Sequence, residues 1–457
     1  MGRAWAIAVN TIKQALRMKV AVVFLVLLLV LLPVMAMSVT GDGTLKGRLQ
    51  TFVSYGLSLT SLLLCLFTII VSIYSITSDI EQGQICTIVT KPIRRFEIIL
   101  GKFIGVVVLD IVLLVIFAAI IYAVVIYMPK FSKASEDDLA AVKNEFYTAR
   151  ASLVPAEIDV SKEVAADFKK LVESQQMEQL FPSSTQDEII ASLTKRRRLE
   201  KQAAAVGQEL VWEFNNVRQR DPNESLFVRF KYDVSVDPTD SQVWGRWLVG
   251  DYRQIRTGSG FETAIYRADR KDPIRTFREV EVPADAVAED GYVAVSFYNV
   301  PLNNTVVIFP LEDGLEVLYK ADTFTANYIR GVLLILCRLI FLACLGVLAA
   351  TFLSFPVAIL LCIVIFFMGT ISGFILESFG YLGANLSLLY SYSIKLLIEL
   401  LPRFDQINPT KFLVPGRLLA WGFLGKVFLI MVFVKATVLL VLALLIFSFR
   451  EIAKIVV

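Results

Sequence analysis

Asp110, Arg338 and Glu377 stand within or beside long apolar runs of this 457-residue chain, as do Lys395, Glu399 and Lys435. An ionisable side chain at membrane depth is costly, so it faces a cavity, a partner group or a translocation path. Asp110 lies deepest and is expected to make a polar contact. Arg338, about one turn inside its run, is expected to snorkel toward the interface. Lys395 and Glu399, spaced four apart, suit a pair on one helix face. Structural pairing and substrate contact are the two readings of Asp110, Arg338 and Glu377. Other chemistry is poorly supplied. The chain has no histidine, which removes the commonest general base and metal ligand. Cys65, Cys344 and Cys362 lie in apolar runs, Cys337 beside one and Cys86 in a polar loop, with no metal-ligand or disulfide spacing. No G-x-x-x-x-G-K-[ST] occurs, so no phosphate-cradling loop is expected on this polypeptide. Catalysis, a resident cofactor and a metal are not expected here.

A second group of chemically distinctive residues sits in one polar loop, SDIEQGQICTIVTKPIRRFEIILGKFIGV. Glu81 and Gly83 open it, Lys91-Pro92 punctuate it, and Arg94, Arg95, Glu97, Gly101 and Lys102 lead into the next apolar run. Proline disfavours helix at the residue before it, so Glu81–Thr90 reads as a short exposed helix ended near Pro92. The basic residues would be attracted by anionic headgroups or by a partner's acidic groove. An ordinary positively charged loop is the bland reading.

The elements that position these residues are membrane spans. Hydrophobic residues make up 56% of the chain and charged residues 19%, with mean hydropathy +0.65. That composition needs the bilayer as solvent. About 20 apolar residues of helix cross a core roughly 30 Å thick. Six stretches qualify: 20–37, 52–76, 98–128, 332–351, 357–375 and 427–447. Six spans put both termini on one side. Arg3, Lys13, Arg17 and Lys19 before the first span, the basic loop after the second, and Arg450 and Lys454 after the last mark that side as cytoplasmic. The first apolar run follows a long polar lead and ends in MAMSVTGDG, a poor match to a cleaved signal peptide. Trp5, Ile7, Ala8, Ile12, Ala15 and Leu16 recur at helical spacing among basic residues, as in an interfacial helix or the lead-in of the first span. The net charge of +3 gives no reason to expect a nucleic-acid partner.

Between the third and fourth spans lies a polar insert, 129–327, expected on the extracytoplasmic face. Up to residue 222 its apolar residues recur at three and four, which predicts helices, including TQDEIIASLTKRRRLEKQAAAVGQELVWEFNNV. From 223 the pattern alternates in LFVRFKYDVSV, FETAIYRA, TFREVEV, YVAVSFYNV and TVVIFP, which predicts a β-sandwich of jelly-roll type. Its VPADAVAEDGYVAVSFYNVP phrase resembles carbohydrate-binding-like jelly rolls. Trp244, Trp247, Tyr252 and Tyr266 are either a ligand platform or core, and core packing is the preferred reading. Lys195-Arg196-Arg197-Arg198 reads as a solvated helix face. The expected class is therefore an α-helical polytopic membrane protein with six spans and an extracytoplasmic α+β insert. Its parts are 1–128 with a cytoplasmic coupling loop at 77–97, the helical segment 129–222, the sandwich 223–327, and spans four to six in 328–457. Gly380, Gly383, Pro402, Pro409, Pro415 and Gly416 predict a broken or re-entrant segment within 377–426.

The loop resembles the E-x-G … K-P-I-x-R-x-E-I-x-x-G-K pattern of ABC-2 type transporter permeases, carried by Glu81, Gly83, Lys91, Pro92, Ile93, Arg95, Glu97, Gly101 and Lys102. LPRFDQINPTKFLVPGR and the tail FREIA are similar to the end of the same family. The resemblance implies a permease subunit with a cytoplasmic ABC ATPase as partner. It also implies a second permease copy or homologue, ATP and magnesium bound on the partner, and a coupling helix in the loop. Such a helix seated in a partner cleft passes on ATP-driven closure through side-chain contacts. Export across the cytoplasmic membrane is the direction the resemblance implies. The competing expectation is a membrane-anchored envelope sensor or assembly protein with a ligand-binding outer domain. A carboxylate enzyme and an ion-coupled carrier lack, respectively, a paired acidic motif and inverted repeats.

Overall fold

The computed structural model describes residues 2–81, 94–132, 134–174, 186–217, 225–257, 263–311, 313–379 and 401–449. The chain divides into two compact units, 1–149 with 323–457, and 150–322.

The first unit is helical. An amphipathic helix α1 (Gly2–Arg17) precedes α2 (Lys19–Ser38), α3 (Leu45–Glu81) and α4 (Arg95–Phe131). After the second unit come α9 (Phe324–Phe352), α10 (Phe355–Phe379), a short α11 (Thr410–Leu413) and α12 (Trp421–Phe449), which contains a π-helical stretch at Phe428–Ala436. Among the described residues five helices are long and apolar enough to cross a membrane. A sixth span results if α1 and Val22–Ser38, which meet at 67°, are taken as one bent element. The small residues Ala8, Thr11 and Ala15 of α1 face the bundle, while Trp5, Leu16, Lys13 and Arg17 are exposed.

α3 and α9 form the middle of the bundle. Their most apolar windows are 67% and 72% buried, against 28% for α10 and 17% for α12, which therefore lie at its rim. The outward side chains of α12, among them Phe428, Phe433, Val438 and Leu442, are apolar, as a lipid-facing surface requires. α3 and α4 each have 37 residues, about 55 Å of helix, so each exceeds the hydrocarbon thickness.

The short α5 (Glu136–Ala141) follows α4. The second unit is a β-sandwich with a helix pair, a short α8 (Tyr252–Thr257) and a small sheet of β2 (Ala203–Ala204), β10 (Val307–Ile308) and β5 (Asp233–Val234). α6 (Ser161–Glu173) and α7 (Gln186–Lys201) share a small core of Val160, Val164, Ile189 and Leu193. One sheet has the order β1 (Thr148–Leu153), β11 (Leu315–Thr323), β4 (Leu226–Phe230), β8 (Arg278–Val282). The other has β3 (Glu209–Phe214), β9 (Val293–Asn299), β6 (Gln242–Gly250), β7 (Tyr266–Pro273). Phe230 and Phe297 pack on Trp247, with ring centroids 4.3 and 4.9 Å away, and Phe309 lies edge-on to Trp212 at 4.9 Å.

Two expectations are corrected here. The sandwich does not begin at 223, because β1 and β3 supply a strand to each sheet from within the segment read as helical. ELVWEF turns Leu210, Trp212 and Phe214 to one side at period two, and its register pairs Trp212 with Val295 on β9. The helix predicted through that stretch stops at Lys201.

Candidate functional site

The loop residues are held where α3 ends and α4 begins. Glu81 is the last residue of α3, exposed. Gly83, Lys91 and Pro92, and with them the short helix expected at Glu81–Thr90, lie outside the described residues from 82 to 93. Arg94 occupies the N-cap of α4, and Glu97 accepts a hydrogen bond from its backbone N–H at 3.0 Å. A carboxylate in the first turn meets both an orphan donor and the positive end of the helix dipole. Arg95 donates from Nη1 to the carbonyl of Ser448 at 2.8 Å, placing a cation on the C-terminal turn of α12.

Gly101 and Lys102 are not in the loop at all. Both lie inside α4 and are buried. A Cβ at Gly101 would meet the Ala4 carbonyl at 2.7 Å, and one at Gly105 the Ala8 carbonyl at 2.7 Å. The G-x-x-x-G spacing is thus a groove in which the backbone of α1 lies. Lys102 is 3% exposed, forms an ion pair with Asp79 of α3 at 2.5 Å and donates to the Ser75 carbonyl. Gln14 of α1 donates to Ser78 Oγ at 2.8 Å and reaches Asp79 Oδ1 at 3.5 Å. Side chains from α1, α3 and α4 therefore meet in one buried polar cluster beside the C-terminal end of α3.

That cluster ends a polar stripe along α3. Ser61, Cys65, Thr68, Ser72, Ser75 and Asp79 follow alternating spacings of four and three, all buried. Ser61 receives a hydrogen bond from Arg338 Nη1 at 3.1 Å. Thr68 is the polar side chain beside Asp110 but donates its own proton to the Leu64 carbonyl at 2.7 Å. Asp110 is 1% exposed, and among the described residues neither of its carboxylate oxygens has a hydrogen-bond partner.

Arg338 does not snorkel. It sits at the midpoint of α9, and its Nη2 donates to the Phe404 carbonyl at 2.9 Å while the guanidinium covers the Phe404 ring at 5.2 Å. The reason lies in residues 401–420, whose backbone is mostly irregular and must be satisfied by protein groups. Asn327 gives its amide N–H to the Arg417 carbonyl at 2.8 Å and accepts from the Leu419 N–H at 2.8 Å. Arg330 donates to the Leu419 carbonyl at 3.2 Å, Gln50 to the Val414 carbonyl at 2.8 Å and Lys435 to the Leu401 carbonyl at 2.9 Å. Asn327, Arg330 and Arg338 share one face of α9. A second G-x-x-x-G, Gly369 and Gly373 of α10, receives the same segment: a Cβ at Gly369 would meet the Pro402 carbonyl at 2.6 Å, and one at Gly373 would collide with Asp405 Oδ2. Glu377 lies further along α10, its side chain outside the described residues, and Lys395 and Glu399 fall in 380–400, also outside them. Sequence reasoning missed Gln14, Asp79 and Asn327, as well as Gly105, Gly369 and Gly373. The two G-x-x-x-G spacings and the polar stripe of α3 were the available signals.

The outer unit does not gather its aromatics into a platform. Trp247 is 1% exposed in the sandwich core, Tyr252 is buried with Tyr292, Tyr266 donates to Asp285 at 2.7 Å, and only Trp244, 43% exposed, faces outward. Three of the four residues in the basic run on α7 form ion pairs: Arg197 with Asp167 at 2.5 Å, Arg198 with Glu157 at 2.8 Å, Arg196 with Glu200 at 3.1 Å. The Arg197 hydrogen bond holds the Asp167 carboxyl below its ordinary 3.8. A groove of about 820 Å³ is lined by α7 together with Pro310, Leu311 and Asp313 and carries both charges, Lys195 and Arg198 as well as Glu157 and Asp313.

A bundle of apolar helices with charged side chains sealed inside it, joined in sequence to a β-rich unit, defines a multi-pass membrane protein. Within that class, residues 5–143, which run from α1 to just past α4, match the family described as ABC-2 family transporter protein. No curated protein and no solved structure matches the chain.

Proposed function

We propose that the chain is the permease subunit of an ATP-binding cassette exporter, moving its cargo with ATP hydrolysed on a separate ABC ATPase subunit and working beside a second permease copy or homologue. The single observation that carries this reading is the ABC-2 match over residues 5–143. It covers the segment whose helices frame residues 82–93.

Glu81, Gly83, Lys91, Pro92, Arg94 and Arg95 would form the docking loop, with Glu97 capping the helix that follows and Gly101 and Lys102 fixing that helix to its neighbours. Both termini would be cytoplasmic, in keeping with the basic residues of α1 and of the α3–α4 loop, and residues 150–322 extracytoplasmic. The order of the eight longer strands supports the jelly-roll reading of that unit. Taken in chain order they lie 1-8-3-6 in one sheet and 2-7-4-5 in the other, the arrangement of two interleaved Greek keys. Asp110 and Arg338 differ in role: Arg338 serves the backbone of 401–420, whereas Asp110, a sealed carboxylate without a donor, is the stronger candidate for a group acting during transport. ATP and magnesium would sit on the ATPase.

The test is an ATPase assay on the purified complex, with Glu81→Ala and Arg95→Ala in the permease. Loss of association or of permease-dependent ATP turnover is expected. Unchanged association and turnover in both variants would remove the loop from the coupling role.

A further inference from the structure

Resting on that permease reading, we infer that Asp79 and Lys102 are positioning residues for energy coupling: their buried ion pair locks α1, α3 and α4 into one body through which force on residues 82–93 enters the bundle.

The argument starts from cost. Asp79 and Lys102 are 5% and 3% exposed, and an ion pair so buried adds little net stability, because desolvation of two charges consumes most of their attraction. Apolar side chains would fill the same space at least as well. A buried pair is better suited to fixing which surfaces meet and in what register. Here the register is that of the three elements around the loop. Asp79 is two residues before Glu81, within the last turn of α3. Lys102 lies about two turns after Arg94, and its Nζ also holds the Ser75 carbonyl one turn back on α3. Gln14 ties α1 to Ser78 and Asp79, and Gly101 and Gly105 bring the α1 backbone against α4 too closely for any side chain to intervene. A displacement of residues 82–93 therefore cannot move α3 alone. It must carry α4 and α1 with it or break a pair that has no water to replace it.

The body also has an outlet. The stripe that begins at Asp79 runs along α3 to Ser61, about 27 Å away, where Arg338 links α3 to Phe404 in the irregular segment. α3 thus carries the lock at one end and a contact to residues 401–420 at the other.

The test uses the full permease–ATPase complex in lipid nanodiscs and compares wild type, the double variant Asp79→Asn with Lys102→Met, and the charge exchange Asp79→Lys with Lys102→Asp. The neutral double variant leaves no orphan charge, so it separates positioning from the cost of an unpaired ion. Expected is unchanged association and unchanged melting temperature, with the effect of the permease on ATPase turnover reduced about fivefold or more, the span of ordinary coupling energies, and substantial recovery in the charge exchange. Retained modulation in the neutral variant would overturn the inference and leave the permease reading standing. Lost association would overturn it by making the pair part of the docking structure. A wild-type chain that purifies without any ATPase would overturn the permease reading itself, and this inference with it.

Discussion

Arg338→Met gives a direct measure of what a guanidinium does inside this bundle. The side chain supplies two charge-assisted hydrogen bonds, 3.1 Å to Ser61 Oγ and 2.9 Å to the Phe404 carbonyl, and lies 5.2 Å from the Phe404 ring centre. Methionine nearly fills the stem volume, so little cavity forms. What remains is a buried carbonyl without a donor, worth about 1–3 kcal/mol. Relief from burying a charge offsets part of this, so the anchoring of residues 401–420 weakens by about 2 kcal/mol. At 1.36 kcal/mol per tenfold, local opening becomes about 30-fold more frequent. Hydrogen exchange read by mass spectrometry on peptides from 401–420 measures this, because the Phe404 amide is otherwise protected by the Gly369 carbonyl at 2.9 Å. Arg338→Lys, which keeps the charge and one donor, should fall between. Exchange in 401–420 equal to wild type would refute the reasoning. So would a rise spread evenly over the chain, since it would make Arg338 a general core residue rather than the support of one segment.

Other outcomes follow from the same contacts. Gly105→Leu forces α1 off α4 and should cost about 1–3 kcal/mol, seen as faster tryptic cleavage after Lys13 and Arg17; unchanged cleavage would contradict the close approach. Trp247→Ala should lower stability by about 3–5 kcal/mol, whereas Trp244→Ala, on the exposed face, should change it by less than about 0.5 kcal/mol; equal effects would overturn the division between core and surface. Asp251, held below its ordinary 3.8 chiefly by a hydrogen bond from Arg253, and Asp290, lowered by the same arginine, contribute stability that is complete at neutral pH. Their folded pKa lies below the unfolded value, so that contribution is lost as pH falls below about 3.8. Fluorescence of Trp212, Trp244 and Trp247, with Trp5 and Trp421 replaced by phenylalanine, should therefore report an acid transition that Arg253→Gln moves to higher pH.

The sequence made the spans legible because apolar length is a strong signal in a chain that must satisfy its backbone within lipid. It made most of the sandwich legible through period-two alternation, and failed at β1, β3 and β6. In ELVWEF the alternation followed a helical charged run without a proline to break it. In QVWGRWLVG the tryptophans were expected in the core, but the stretch was not read as a strand, although Val243, Trp247 and Val249 share one side with Gly245 and form core. At the candidate site the composition of the loop was readable, but the jobs of its residues were not. Gly101 and Lys102 looked like loop termini and proved to be interior packing and pairing groups. Arg338 looked like a snorkelling residue, because nothing local announces that a distant carbonyl, at Phe404, lies against the middle of α9. Such contacts arise from tertiary placement, for which the G-x-x-x-G spacings and the polar stripe of α3 were the local traces.

The most direct test of the central claim is the composition of the native complex. The intact chain, affinity-purified in mild detergent from its own membranes, should carry a P-loop ATPase in stoichiometric amount, with ATP turnover that falls when Glu81 or Arg95 is replaced by alanine. A chain that purifies alone, with no ATPase bound and no nucleotide-dependent activity, would contradict the account.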